Sequence, residues 1–401
     1  MKLCKNGLKA TEIKLEKSEF IPYGRQDVTE EDIKAVVKIL RSDYLTQGPA
    51  VPVFEQKLCD YTGAKYAVAV NSCTSALHIA CLALGLGVDD ILWTSPISFV
   101  ASANCALYCR ASVDFVDIEP DTALMSVEKL KEKLEQAEKK GKLPKIVVPV
   151  HFAGQSCDMK EIYDLGQQYG FKIIEDAAHA IGAKYNGEEV GSCRYSDITV
   201  FSFHPVKIIT TGEGGVAMTN SLQLSEKMDL LRSHGITRDP AKMRKNQNNF
   251  WYYEQIKLGF NYRMTDIQAA LGLSQLERLN QYISRRSEIS EWYDKQFKRV
   301  DIDPLVQKPH RDSAHHLYIV RVRSGEQTRN KIYSSLREDG IGVNLHYIPI
   351  YKHPFFQMKI YLENAEYHYT HSITLPIYPA IDNESLHKIT DNILRFKATH
   401  A

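Results

Sequence analysis

A lysine in an apolar segment is the residue of this 401-residue chain that is best suited to covalent chemistry. Lys207 lies within FSFHPVKIITTGEGG (201–215), between two apolar runs, and Ser202 precedes it by five residues. Burial disfavours the charged form of a lysine and so leaves a neutral, nucleophilic amine. A lysine in such a setting is rarely structural. We therefore expect Lys207 to be a nucleophile and Ser202 to bind a phosphate of its ligand.

Two acidic residues end the apolar run of IIEDAAHA (173–180). Neighbouring residues of a strand face opposite ways, so only one of Glu175 and Asp176 need point at a ligand. A carboxylate beside a pyridine nitrogen keeps that nitrogen protonated, and a protonated ring is an electron sink. An Asp that caps the next helix explains the pattern equally well. His179 follows, where it could meet a phenolic oxygen of such a ring.

Two more segments place suitable residues just after apolar runs. NSCTSAL (71–77) joins YAVAV to a helical pattern, so free N–H groups at a helix N-terminus could bind an anion. Capping by Ser72 or Thr74 is the simpler explanation of that segment alone. Phe99, in SPISFVASAN (95–104), could stack on a flat heterocycle, although an isolated Phe more often packs in a core. Together these features indicate a phosphate-bearing aromatic cofactor at the carboxyl ends of parallel strands.

The elements that position these residues are alternating strands and helices between about residues 28 and 220. This alternation predicts an α/β fold with a mostly parallel sheet covered by helices. The last two strands are joined by a connection too short for a helix and should pair antiparallel. The predicted strands are YAVAV (66–70), ILWT (91–94), VDFVD (113–117), KIVVPV (145–150), KIIED (172–176), ITVFSF (198–203) and GGVAMT (214–219).

The last third of the chain has a different pattern, typical of a smaller α+β domain. We place the boundary near residue 283, which gives a large domain at 1–283, with an N-terminal arm, and a small domain at 284–401. The polar stretch 236–256 reads as a long surface loop. The predicted elements are a long helix from about Met264 to Tyr282, helices at 285–297 and 329–339, and strands at 315–322 and 342–347.

Charge and composition exclude several classes of partner. The 50 basic and 49 acidic residues give a formal charge of +1, so no strong field attracts nucleic acid or a membrane surface. No stretch approaches the roughly 20 apolar residues of a membrane span, and the charged segment 1–20 has no apolar core of a secretion signal. The eight cysteines, among them Cys105 and Cys109, form no C-x-x-C pair. We expect core thiols, no bound metal and a cytoplasmic location.

With these residues together, the chain resembles the DegT-type nucleotide-sugar aminotransferases, a branch of the fold type I enzymes that use pyridoxal 5'-phosphate (PLP). The likeness extends from about residue 20 to the end of the chain. It implies a large domain with a mostly parallel seven-stranded sheet between helices, and homodimers with shared active sites. The motifs that carry it are NSCTSAL, TSPISFVASAN, EDAAHA, SFHPVKIITTGEGG, RSHG and GFNYRMTDIQAAL.

The resemblance implies a role for each residue that surrounds the cofactor ring. Lys207 would hold PLP as a Schiff base and move a proton between the cofactor and the substrate. Asp176 would face the pyridine nitrogen, Phe99 would stack on the ring, and His179 would lie near the ring oxygen. All four roles follow from the matching motifs and add to what the residue types alone indicate.

The resemblance also assigns the phosphate contacts and divides them between two subunits. Cys73, Thr74 and Ser202 would bind the phosphate from the same chain, although Ala or Gly is commoner at the position of Cys73. Asn261 would reach the phosphate of the other subunit. Pattern alone favours a different interpretation of Asn261, as part of the start of an ordinary helix capped by Thr265.

The expected reaction is PLP-dependent transamination of a UDP-linked 4-keto-6-deoxy N-acetyl sugar with L-glutamate, giving the 4-amino sugar on the route to pseudaminic acid. Local cues for this branch are YLTQG (44–48) and LHYIPIY (345–351). His346 and Tyr347 are expected to come from the partner chain. The residues expected to line the sugar-nucleotide site are Tyr23, Tyr44, Leu45, Thr46, His346 and Tyr347.

Three alternatives stay open at this point. The substrate could be another 4-keto or a 3-keto nucleotide sugar, linked to dTDP or GDP. Related sugar dehydratases replace the active lysine with histidine, but Lys207 is present here, with His204 nearby. A PLP-binding regulator without turnover is the non-enzyme alternative, and the intact set of Lys207, Asp176, Ser202 and His179 argues against it.

Overall fold

A seven-stranded sheet with helices packed on both faces forms the centre of the molecule. The computed structural model describes residues 20–245, 249–298 and 300–396. The predicted N-terminal arm at 1–19, with Cys4, lies outside the described residues. The described helices are α1 (Glu30–Leu40), α2 (Ala50–Thr62), α3 (Cys73–Ala83), α4 (Ala101–Tyr108), α5 (Val127–Lys139), α6 (Met159–Tyr169), α7 (Leu222–Arg232), α8 (Asp266–Leu276), α9 (Leu279–Phe297), α10 (Glu326–Glu338), α11 (Glu363–His371) and α12 (Asn383–Arg395).

The order of the central sheet is β1-β9-β8-β5-β4-β2-β3. Strand β9 runs antiparallel to its neighbours β1 and β8, and the pairs from β8 to β3 are parallel. The predicted mostly parallel sheet and its antiparallel pair are confirmed. The strands are β1 (Tyr66–Val70), β2 (Ile91–Thr94), β3 (Ser112–Phe115), β4 (Ile146–Val148), β5 (Lys172–Asp176), β6 (Lys184–Tyr185), β7 (Glu188–Glu189), β8 (Ile198–Ser202), β9 (Gly215–Thr219), β10 (Ile236–Thr237), β11 (Glu254–Gln255), β12 (Ile302–Pro304), β13 (Arg311–Asp312), β14 (Tyr318–Val322) and β15 (Ser372–Leu375).

Alternate residues of the central strands pack against different helices, because successive side chains of a strand point to opposite faces. Val68 and Val70 of β1 lie in a core with α3, α4 and α7, whereas Ala69 faces α2 and α8. Val147 of β4 packs with α5 and α6. Both faces of the sheet are therefore buried, which explains why its strands are continuous apolar runs.

The C-terminal part of the chain surrounds a smaller antiparallel sheet in the order β12-β14-β15. Its core includes Tyr293 and Phe297 of α9, Ile332 of α10 and Ile389 of α12. This is the α+β arrangement that the sequence predicts. Helix α9 is continuous through residue 283, so a division at 283 would fall inside a helix, and that division stays a prediction. No described helix is long and apolar enough to cross a membrane.

The single long helix predicted over 264–282 is wrong. Helix α8 ends at Leu276 and α9 begins at Leu279. Between them Arg278 leaves helical geometry and donates to both carboxylate oxygens of the buried Asp32, at 2.7 and 2.6 Å. This partner lies in α1, 246 residues earlier, so local periodicity does not reveal the break.

Two further expectations need correction. Residues 342–347 form no strand. Among the described residues, this part of the chain pairs with other segments through two single bridges, from Ile341 to Ile21 and from Asn344 to Thr374. The predicted surface loop at 236–256 is closed at its base by the short antiparallel pair β10 and β11. Residues 246–248 of that loop lie outside the described ranges.

Asp266, the first residue of α8, is fully buried and attaches the start of α2 to this helix. Its carboxylate accepts from the N–H groups of Gly48 and Ala50, each at 2.8 Å. Replacing Asp266 with Ala should lower the free energy of unfolding by about 2–4 kcal/mol, since the buried N–H of Ala50 and the half-buried N–H of Gly48 lose their acceptor. Urea unfolding measures this change. Glu226→Ala, which removes an exposed ion pair to Lys242, is the control and should cost under about 1 kcal/mol; equal losses would contradict the account.

Candidate active site

A cavity of about 730 Å³ lies at the carboxyl ends of the parallel strands and brings most of the predicted residues together. The end of β5, the end of β8 and the start of α3 contribute to its walls. Residues from the C-terminal part of the chain close it from the other side. The predicted residues that line it are Lys207, Cys73, Thr74, Phe99, Asp176, His179, Ser202, Tyr23, His346 and Tyr347.

Lys207 lies on the connection between β8 and β9, and hydrogen bonds within this connection fix its conformation. The N–H of Lys207 donates to the carbonyl of His204 at 2.9 Å. The hydroxyl of Thr210 and the N–H of Thr211 both donate to the carbonyl of Phe203, each at 3.0 Å. The amine itself projects into the cavity, with no hydrogen bond to another described residue.

Burial lowers the pKa of the Lys207 amine from 10.5 to about 8, and the charges of Cys73 and Asp176 partly oppose this fall. Taking an ammonium group out of water disfavours its charged form. The amine is therefore close to half neutral at pH values only slightly above neutrality. A nucleophilic lysine needs this property.

Asp176 faces the cavity and Glu175 faces away from it, as the alternation along β5 requires. Ser102 donates to one carboxylate oxygen of Asp176 at 2.6 Å, and the N–H of Ala178 donates to the other at 3.1 Å. On the opposite face, Glu175 bonds to the ring of His151 at 2.7 Å. The alternative interpretation of Asp176 as a helix cap is wrong, because residues 177–183 form turns.

The start of α3 forms a concave backbone surface at one end of the cavity. Cys73 and Thr74 are its first two residues, whose N–H groups have no carbonyl four residues earlier in the helix to bond to. Ser72 caps the helix by accepting from the N–H of Ser75 at 3.1 Å. A Cβ atom on Gly215 would lie 2.5 Å from the nitrogen of Cys73, so β9 can approach this surface only with a glycine there. The arrangement suits an anion.

His179 and Phe99 present rings to the same space. Phe99 is 60% exposed although it lines the cavity, so its face is available to another flat group. The Nε2 of His179 lies 3.3 Å from the hydroxyl of Tyr347, while its buried Nδ1 has no hydrogen-bond partner. Burial, together with the charge of Lys207, lowers the pKa of His179 well below its usual value, so this ring is neutral.

Tyr23, Asn344, His346 and Tyr347 form the wall opposite the sheet. The rings of Tyr23 and His346 lie 5.4 Å apart, and His346 shares a 2.8 Å hydrogen bond with Thr374 of β15. Burial and the charge of Lys207 lower the pKa of His346 to about 3. The expectation that His346 and Tyr347 come from a partner chain is wrong, because their segment reaches the cavity of its own chain.

Four predicted residues do not line the cavity: Asn261, Tyr44, Leu45 and Thr46. All four are exposed. The backbone of Asn261 pairs with Ser233, and its carbonyl accepts from the Asn71 amide at 3.5 Å. Backbone contacts hold the segment of Leu45 and Thr46 on the start of α8. The contact of Asn261 with the phosphate of a partner chain stays a prediction, and so does the expectation that Tyr44, Leu45 and Thr46 line the sugar-nucleotide site.

Sequence reasoning missed several residues that the fold brings to the cavity, including Ser98, Ser102, Asn344 and Glu213. Ser98 and Ser102 lie four residues apart in the segment that supplied Phe99. That spacing places two hydroxyls on one side of a helical turn. The sequence predicts a strand over 342–347, and this prediction gives no reason to expect Asn344 in the cavity wall.

The neutral amine of Lys207 should set the pH dependence of cofactor uptake. Because burial lowers its pKa to about 8, the rate at which the apoprotein condenses with PLP should rise with pH and be half-maximal near pH 8. Stopped-flow absorbance measures this rate, and Lys207→Ala is the control that should not react. A midpoint near 10.5, the ordinary value for lysine, would contradict the assignment.

Comparison with known proteins gives one consistent family. A model of the DegT/DnrJ/EryC1/StrS aminotransferase family matches residues 26–394. The chain is 36% identical to the UDP-4-amino-4,6-dideoxy-N-acetyl-beta-L-altrosamine transaminase of Campylobacter jejuni serotype O:23/36, over 93% of this chain and 96% of the relative.

Solved structures give the same result. PseC of Helicobacter pylori, an aminotransferase involved in the biosynthesis of pseudoaminic acid, superposes with a TM-score of 0.87 and 32% identity, over 94% of this chain and 99% of that one. The PLP form of a putative sugar aminotransferase of Streptococcus pneumoniae, Spr1654, has a TM-score of 0.83 and 30% identity, over 94% and 98%. The chain therefore belongs to the DegT/DnrJ/EryC1/StrS aminotransferase family.

Proposed function

We propose that this sugar aminotransferase transfers an amino group from L-glutamate to C4 of a UDP-linked 4-keto-6-deoxy N-acetyl sugar, giving the 4-amino sugar on the route to pseudaminic acid. The observation that carries the chemistry is the joint placement of Lys207 and Asp176 in one cavity. The similarity to the Campylobacter transaminase and to PseC supports the choice of sugar. A cytoplasmic location is part of the same proposal.

Members of this family use PLP, and the residues of the cavity fit that cofactor. Lys207 supplies an amine with a lowered pKa. The start of α3 and the buried Ser202 supply donors for a phosphate. The unpartnered Nδ1 of His179 and the open face of Phe99 suit a flat ring that carries a polar substituent. Bound PLP contributes an aldehyde that condenses with amines and a ring that withdraws electrons.

Lys207 is the proposed Schiff-base lysine and the group that moves the proton. Its neutral form accepts a proton from a substrate carbon, and its charged form returns one. With the cofactor bound, Asp176 would face the ring nitrogen, and Cys73, Thr74 and Ser202 would hold the phosphate. Thr210 and Thr211 fix the connection that carries Lys207, so that the amine alone needs to move.

The opposite wall suits the sugar because its groups are neutral. Tyr23, Asn344, His346 and Tyr347 offer hydroxyl, amide and imidazole groups, and low pKa values keep His346 and His179 uncharged. Such groups exchange hydrogen bonds with hydroxyl and acetamido substituents without the cost of burying an unpaired charge.

The diphosphate of the nucleotide and the carboxylates of glutamate need positive charge that this wall lacks. Among the described residues that line the cavity, Lys207 is the single Lys or Arg. Asn261 and the segment from Tyr44 to Thr46 are exposed outside it. These facts support the proposal of a homodimer in which each subunit completes the site of the other.

Two other functions make different predictions. A different 4-keto sugar, or a 3-keto sugar linked to dTDP or GDP, would leave the PLP chemistry unchanged and alter only the preferred substrate. A regulator without turnover would bind PLP but would not respond to glutamate. The first alternative is tested by the substrate panel below and the second by the cofactor's absorbance after glutamate is added.

The substrate proposal is tested by supplying the purified protein with glutamate and a panel of UDP-, dTDP- and GDP-linked keto sugars. The UDP-linked 4-keto N-acetyl sugar should give the highest kcat/KM, and NMR of the product should place the new amine on C4. Lys207→Ala should lower kcat at least about a thousandfold, because it removes the proton-moving group. Lys57→Ala, an exposed lysine of α2, should retain activity. A preference for a 3-keto or dTDP-linked sugar would contradict the proposal.

The shared site is tested by mixing two inactive variants. Lys207→Ala removes the amine, and Asn261→Asp places a negative charge beside the partner's phosphate. If Asn261 serves the partner, each mixed dimer holds one intact site, and random mixing restores about a quarter of the unchanged activity. If Asn261 serves its own chain, every site carries a defect and no activity returns. That result would contradict the proposal that the two subunits share their active sites.

A further inference from the structure

A chain of two serine hydroxyls ends on the carboxylate of Asp176. Ser98 and Ser102 have their hydroxyl oxygens 2.7 Å apart, and the hydroxyl of Ser102 lies 2.6 Å from Oδ2 of Asp176. All three residues are buried. The chain is thus shielded from bulk water, where hydroxyl contacts of this kind would exchange freely.

The direction of these hydrogen bonds follows from the number of protons. A carboxylate only accepts, so Ser102 uses its one proton to donate to Asp176. Ser98 must then donate to Ser102. This order polarises the second bond and strengthens the contact with the carboxylate, because hydrogen bonds in a chain reinforce one another in surroundings of low dielectric constant.

Asp176 depends on this chain because it has few other partners. No Lys, Arg or His among the described residues forms an ion pair with it, and the N–H of Ala178 is the other group that donates to its side chain. A buried carboxylate without hydrogen bonds would be strongly disfavoured as a charged group. Ser102 therefore supplies one of the two hydrogen bonds that the carboxylate of Asp176 accepts from described residues.

The same segment also carries the residue proposed to stack on the cofactor ring. Phe99 lies between the two serines, and the N–H of Ser102 donates to its carbonyl at 3.2 Å. Ser102 belongs to α4, whose buried face packs in the main core. One turn of the chain thus carries both the ring of Phe99 and the hydroxyl that bonds to the carboxylate of Asp176.

We propose that Ser98 and Ser102 are positioning residues that hold Asp176 charged and directed at the ring nitrogen of the cofactor. This inference rests on the proposed role of Asp176 in the function above. It concerns the protonation of the cofactor's ring nitrogen and not the identity of the sugar. Neither serine touches a reacting atom, so the expected effect is a change in the protonation of the ring.

The test is ¹⁵N NMR of the protein loaded with PLP that is labelled at the ring nitrogen, recorded as a function of pH. The chemical shift distinguishes a protonated from a neutral nitrogen. Ser102→Ala should lower the proton affinity of the ring nitrogen about tenfold to a hundredfold, since a hydrogen bond to a charged group is lost. Ser98→Ala should give a smaller change in the same direction, about two- to fivefold.

Matched variants separate this role from general damage to the fold. Ser95→Ala removes another buried serine hydroxyl of the same segment that does not touch Asp176, and it should leave the titration unchanged. Ser102→Thr retains the hydroxyl and should restore the titration of the unchanged protein. Thermal unfolding of each variant reports any loss of stability.

A titration in Ser102→Ala that matches the unchanged protein would overturn the proposal, as would an equal shift in Ser95→Ala. Asp176→Asn provides the reference for a ring without a facing carboxylate. If that variant also keeps the ring protonated, the proposed role of Asp176 fails. A shift in Asp176→Asn without one in Ser102→Ala would reject the serine chain alone.

Discussion

The cavity has to enclose, beside a carboxylate, an amine that can lose its proton at a pH only slightly above neutrality, and the surrounding strands and loops meet this electrostatic requirement. Burial lowers the pKa of Lys207 to about 8, while the negative charge of Asp176 acts against that change. The carboxylate is in turn supported by Ser102 and by the N–H of Ala178 rather than by a cation. Because hydrogen bonds stabilise Asp176, Lys207 does not need to remain charged as its partner.

The topology of the sheet meets this requirement through the neighbouring strands β5 and β8. They run parallel, so Asp176 and Ser202 end at the same edge. The chain then reverses into β9, and the connection carries Lys207 back over that edge. Gly215 lets the start of β9 pass within contact distance of the first residue of α3. Lysine, carboxylate and anion-binding backbone are thereby assembled at one edge of the sheet.

Sequence patterns predicted the parts of the site that depend on strand ends, because the carboxyl ends of parallel strands meet at one edge. Asp176 is predicted from such a strand end, whereas Lys207 is predicted from the apolar setting of its segment, with Ser202 five residues before it. Patterns failed where distant contacts decide the structure. Arg278 leaves helical geometry where it bonds to Asp32. Asn344, which lines the cavity, bridges to Thr374, a residue 30 positions later. Exposed Asn261 gives no local sign of the site it is proposed to serve.

Chemical trapping shows whether Lys207 is the amine that binds the cofactor. The PLP-loaded protein is reduced with borohydride, digested, and mapped by tandem mass spectrometry. The phosphopyridoxyl group should be found on the peptide that contains Lys207, with every other lysine unlabelled. A label on another lysine, with Lys207 unmodified, would contradict it.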